Sequence, residues 1–128
     1  MHITLETDYA IRIVDLLAKN KDSPHLDAKS ISSGTGVSHR YALKILHKLL
    51  AGGIVKSYKG AYGGYELLKN PKDISLYDVV EIMEGGYKLS RCLEGDYNCT
   101  GGCPCGYQAV FGEVTELVRE TLKKHKFG

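Results

Sequence analysis

A mainly α-helical chain with one small β-hairpin is predicted by three observations on the 128 residues. Apolar residues recur at i, i+3, i+4 and i+7 in several blocks, the mark of helices with one buried face. Between residues 54 and 68 that period gives way to two short runs around a glycine-rich tip, the pattern of a hairpin. Cap-forming residues and glycines separate the blocks.

The elements follow in order. Thr4 or Thr7 caps a first helix to about Asn20, with Ala10, Ile13, Val14 and Leu17 on its apolar face. Ser23-Pro24 breaks the pattern, and Asp27 caps a short second helix from Ala28 to about Ser33. Gly34-Thr35-Gly36 reads as a turn, because glycine tolerates positive φ. Ser38 caps a third helix to about Leu50, built on Ala42, Ile45, Leu46 and Leu49 and ended by Gly52-Gly53. Strands at Ile54–Tyr58 and Gly64–Leu68 flank the tip Lys59-Gly60-Ala61-Tyr62-Gly63, and Asn70-Pro71 closes the unit. Ser75 and Asp78 have the spacing of a capping box before a fourth helix on Leu76, Val79, Val80 and Met83, stopped by Gly85-Gly86. A last helix from Tyr107 to about Lys126 carries Val110, Phe111, Val114, Leu117, Val118 and Leu122. That stripe exceeds what a small domain buries on a terminal helix and marks an interface. The order helix, helix-turn-helix, hairpin, helix is that of a winged helix-turn-helix. The expected division is residues 1–86 as this unit, 87–106 as a cysteine-rich loop and 107–128 as a dimerisation helix.

Composition bounds the function. Apolar residues are 43% and charged residues 25% of the chain, ordinary for a globular protein. No run approaches the roughly 18 apolar residues of a membrane span, so no membrane partner is expected. The start, Met1 to Glu6, lacks a basic stretch followed by an apolar run, which reads as a protein kept in the reducing cytoplasm. There the four cysteines are metal ligands or redox groups before they are a disulfide framework. Between Asp27 and Glu66 there is no acidic residue, whereas Lys29, Arg40, Lys44, Lys48, Lys56 and Lys59 all fall there. In the helix-turn-helix arrangement the start of the second helix enters the major groove. Ser38, His39, Arg40 and Tyr41 are therefore the candidate base-reading residues. Lys44 and Lys48, with Arg40 on one helical face, are candidate phosphate contacts, and Tyr58, Lys59 and Tyr62 on the wing can hydrogen-bond to the phosphate backbone, with Lys59 alternatively entering the minor groove. Tyr65 starts a strand and reads equally as a core residue, so it is left out of the contact set. No nucleotide-binding glycine motif, no Ser-His-Asp order and no paired carboxylates stand out, so no enzyme is expected.

Cys92, Cys99, Cys103 and Cys105 fall within one glycine-rich stretch that lacks the C-x-x-C half-site of structural zinc. Thiolates so arranged suit an iron–sulfur cluster. Zinc, a redox disulfide and unligated thiols remain open on spacing alone.

These residues resemble a known family, the bacterial winged-helix regulators typified by IscR, NsrR and RirA. The resemblance is carried by Leu5-Glu6-Thr7-Asp8-Tyr9-Ala10, by Gly36-Val37-Ser38 with Tyr41 and Leu43, by the wing Lys59 to Tyr65, and by a cysteine loop leading into a long helix. It implies a homodimer paired through the last helix, acting on double-stranded DNA with a two-fold-related operator, most simply as a repressor. It also implies an iron–sulfur cluster held by Cys92, Cys99 and Cys105. Asp8, reaching across the dimer, matches the fourth ligand of some members, with Cys103 the alternative. Where the IscR branch has a ligating histidine this chain has Gln108, which favours a 4Fe–4S over a 2Fe–2S cluster. The signal such a cluster reads is nitric oxide, redox state or iron and cluster supply. Other members do without a cluster and sense cysteine metabolism through a partner protein, so a cluster-free or zinc-stabilised regulator is the alternative.

Overall fold

The computed structural model describes residues 3–20, 25–60, 63–85 and 106–127. In chain order they form α1 (Leu5–Lys19), α2 (Ala28–Thr35), α3 (His39–Ala51), β1 (Val55–Tyr58), β2 (Gly64–Leu67), a 3-10 turn (Pro71–Asp73), α4 (Leu76–Glu84) and α5 (Gly106–Lys124). The cysteine-bearing segment, Tyr62 and the Ser23-Pro24 break lie outside the described residues.

Four helix starts are set by the side chains expected to cap them. The Thr4, Asp27 and Ser38 side chains accept from the backbone N–H of Thr7, Ser30 and Tyr41, and Ser75 and Asp78 close a reciprocal capping box. Each such bond satisfies a donor that the first helical turn leaves free. α1, α2, α3 and α4 enclose one core of Ala10, Ile13, Val14, Ile31, Ala42, Ile45, Leu46, Leu49, Ile74 and Val79, with Ile54 and Val55 closing it at the base of the wing. Fully burying each valine, leucine or isoleucine contributes about 1.5–3 kcal/mol, which ties α3 rigidly to the other three helices.

The wing is an antiparallel pair registering Val55 with Leu67 and Tyr58 with Gly64. Leu26 adds a third rung, its N–H donating to Tyr65 O at 3.0 Å and its carbonyl accepting from Tyr65 N at 2.7 Å. Gly64 permits this approach, since a Cβ there would lie 2.5 Å from Leu26 O. The rung accounts for Tyr65, which is partly buried against the core, one of the two roles its sequence position left open.

Each strand is one residue shorter than expected, β1 starting at Val55 and β2 ending at Leu67, and two helix ends differ more. Gly34 and Thr35 belong to the last turn of α2, where the Thr35 hydroxyl donates to Ile31 O at 2.7 Å; of the three residues read as a turn, Gly36 alone is left-handed, at φ 77°. The last helix ends at Lys124 rather than Lys126. Residues 125–127 instead run antiparallel to 74–76, with Leu76 N donating to His125 O at 2.9 Å and Phe127 N donating to Ile74 O at 3.1 Å. That ladder seats Phe127 against the core, a burial that outweighs one more helical turn.

α4 is secured at its other end as well. Glu84 Oε1 accepts from Thr4 N at 3.3 Å, Thr4 Oγ1 at 2.7 Å and Thr7 Oγ1 at 2.8 Å, so the end of α4 is bound to the beginning of α1.

Candidate nucleic-acid interface

The turn before α3 is held by side chains. Ser32 Oγ donates to Val37 O at 2.5 Å and Thr35 Oγ1 accepts from Val37 N at 3.3 Å, while Val37 itself is buried. The start of α3 is thereby fixed with His39, Arg40 and Tyr41 exposed. Ser38 is exposed too, but its hydroxyl accepts from Tyr41 N at 3.3 Å as the cap.

Arg40, Lys44 and Lys48 were expected to share one face, and they divide. Lys48 Nζ lies 2.5 Å from Glu6 Oε1, and Lys44 Nζ 3.8 Å from Glu6 Oε2. The hydrogen bond from Lys48 is the main cause that holds the Glu6 carboxyl below its ordinary value; burial opposes it, and the charges of Lys48 and Lys44 add to it against that of Glu84. Tyr41 packs edge-on against Tyr9 of α1, centroids 5.9 Å apart, with Lys44 Nζ 5.7 Å from its ring centre. Arg40 stays out of these contacts and shares the exposed face with Leu43 and His47, at i, i+3 and i+7. His47 was missed from sequence, although its spacing from Arg40 is two helical turns.

On the wing, His25 stacks on Tyr58 at 4.8 Å and 27°, and the Tyr58 hydroxyl donates to Glu66 Oε2 at 3.0 Å. Lys56 Nζ lies 5.6 Å from the same ring centre. Its hydrogen bond and charge interaction with Tyr58, and the charge of Glu66, raise its pKa. Lys59 is exposed at the tip. Tyr58 is thus a scaffold for the wing's charges, a role its sequence position does not reveal.

Of the expected cluster ligands, Cys92, Cys99, Cys103 and Cys105 lie outside the described residues. Asp8 is half-exposed in the first turns of α1 and pairs with Arg12 at 3.1 Å. Among the described residues no three His, Cys, Asp or Glu side chains converge as metal ligands. No helix among them is long and apolar enough to cross a membrane. On α5, Val110 and Leu117 are exposed and Phe111, Val114, Val118 and Leu122 only half-buried, with a shallow apolar groove lined by Val114, Leu117, Val118, Thr121 and Leu122.

A rigid helix-turn-helix with an exposed helix start, flanked by a two-stranded basic wing, defines a winged-helix DNA-binding regulator. Comparison with known proteins narrows the class. The chain belongs to the Rrf2 family, described as iron-dependent transcriptional regulators, whose family model matches residues 3–128. It is 30% identical over 124 residues to protein aau3 of Rhizobium meliloti (strain 1021), covering 96% of this chain and 80% of that one. It is 27% identical over 126 residues to the HTH-type transcriptional regulator NsrR of Bacillus subtilis (strain 168), covering 98% and 86%. The solved structure of CymR, the global cysteine regulator of B. subtilis, matches with a TM-score of 0.80 at 26% identity, over 99% of this chain and 93% of that one. Proteins of this family are transcriptional regulators, not enzymes.

Proposed function

We propose that the protein is a cytoplasmic homodimeric repressor that reads a two-fold-related operator and whose affinity is set by an iron–sulfur cluster. The observation that carries the DNA half is the exposed start of α3, fixed by the Ser32–Val37 turn and facing solvent with His39 and Arg40. Arg40 offers a fork that matches guanine in the major groove, and Lys59 reaches toward the adjacent backbone. The half-buried stripe on α5 supports pairing of two copies, since an apolar face of that length is seldom left in water.

The donor set fits a cluster. Four thiols lie within residues 92–105, thiolate sulfur is the preferred ligand of such iron, and the half-exposed Asp8 carboxylate can exchange Arg12 for a metal. Cys92, Cys99 and Cys105 would hold the cluster, with Asp8 of the other subunit, or Cys103, completing a 4Fe–4S site. When bound, the cluster supplies a centre that nitric oxide, redox change or iron shortage destroys. This chain's own part is to couple that centre to the head: Asp8 lies on α1 between Glu6, which grips α3, and the core position Ala10.

A cluster-free or zinc-stabilised regulator answering to a partner protein is the second reading, supported by the likeness to a cysteine regulator. Metal and sulfide analysis of anaerobically purified protein separates the two. Iron and sulfide together, lost on serine substitution at Cys92, Cys99 or Cys105, support the cluster. Zinc alone, or no metal, supports the alternative.

A further inference from the structure

We infer that Glu6 is an intramolecular competitor for DNA phosphate: it occupies the ammonium groups of Lys48 and Lys44 and so holds down affinity for DNA of any sequence. The inference rests on the DNA-reading role proposed above for α3. The reading segment contains no acid between Asp27 and Glu66. The fold nevertheless brings one to it from 42 residues away, and both ion pairs made by α3 among the described residues go to that one carboxylate. Glu6 spans the two lysines, one oxygen toward each, and its side chain is only 24% exposed. A carboxylate and a phosphate present the same kind of oxygen to the same N–H donors. A lysine serves one or the other on its flexible stem, and a carboxylate left beside a bound phosphate repels it.

A contrary account is that Glu6 is merely an acid favoured by the start of α1, or that it orients the lysines for DNA. The three accounts differ in the sign and location of what removing its charge does. The experiment measures binding of the full chain to a mixed-sequence duplex of about 30 base pairs by fluorescence anisotropy over a salt series. The proteins are wild type, Glu6→Gln, Asp15→Asn, Lys48→Met and the Glu6→Gln/Lys48→Met double variant. Asp15→Asn makes the same change in net charge on the same helix, where Asp15 pairs with Lys19 at 2.8 Å.

Glu6→Gln is expected to bind about two- to fivefold more tightly near 0.1 M salt, with a log–log salt slope steeper by about one. Asp15→Asn gains less, and most of the Glu6→Gln gain disappears in the Lys48→Met background. Equal gains from Glu6→Gln and Asp15→Asn overturn the inference, as does a gain that persists undiminished without Lys48. Weaker binding by Glu6→Gln overturns it in favour of orientation. Failure of the wild type to bind any duplex removes the DNA-reading role itself, and shows before any variant is compared.

Discussion

Glu84 joins the last residue of α4 to the first turn of α1, and replacing it tests how the head is held together. Its Oε1 takes hydrogen bonds from the Thr4 and Thr7 hydroxyls, and Thr7 is fully buried. A hydrogen bond to a charged group contributes about 1.5–3 kcal/mol net. The contacts to Thr4 are exposed and count for less than that range. The carboxylate also faces the positive end of α1, a further contribution of about 0.3–1 kcal/mol. After Glu84→Ala the Thr7 hydroxyl keeps Thr4 Oγ1 at 3.1 Å, so no orphaned polar group adds to the loss. Glu84→Ala is therefore expected to cost about 2 kcal/mol, a fall of about 8 °C in unfolding midpoint for a chain of this size. Glu84→Gln keeps the acceptor and loses the charge, so it should cost about half as much. Urea denaturation at one fixed protein concentration measures both, with Thr7→Val completing a double-mutant cycle whose coupling should be about 1 kcal/mol. A loss below about 0.5 kcal/mol for Glu84→Ala, the range of ordinary surface changes, would refute the reasoning.

Gly64→Ala forces a Cβ against Leu26 O and should destabilise the wing by about 1–3 kcal/mol, seen as earlier thermal unfolding; an unchanged midpoint means the rung is loose. Because pairing lowers the Glu6 pKa in the folded state, its stabilisation is present above the ordinary carboxylate value and lost as pH falls through the folded one. The wild type should accordingly be more stable than Glu6→Gln at neutral pH, with the gap closing on acidification; a gap that widens in acid contradicts the pairing. Leu117→Glu places a charge on the exposed stripe of α5 and should yield monomers in sedimentation equilibrium, whereas a well-folded dimer argues for another interface.

Local chemistry was legible in the sequence. Asp27, Ser38 and the Ser75–Asp78 box declared the helix starts they form, and between Thr4 and Thr7 the structure chooses Thr4 and buries Thr7. The apolar spacing in α1 and α3 named the residues that are buried, because a helical period fixes a face. The pairings that cross the chain were not legible. Lys48 with Glu6, Thr4 with Glu84 and Ser75 with Lys126 join residues far apart in sequence, and no local pattern records which partner the tertiary fold supplies. The division of α3's basic row follows from this: spacing put Lys44 and Lys48 with Arg40, and α1, which spacing does not place, drew them toward Glu6.

The ladder between residues 74–76 and 125–127 has an evolutionary consequence. It pins the far end of α5 to the base of α4, a second attachment besides the chain that joins the two helices. The entropy of closing a flexible loop grows slowly, by about 0.6 kcal/mol for each doubling of its length. The connecting stretch can therefore gain, lose or exchange residues while the helices at either side keep their footing. A lineage carrying such a clasp can vary that stretch without redesigning the four-helix head.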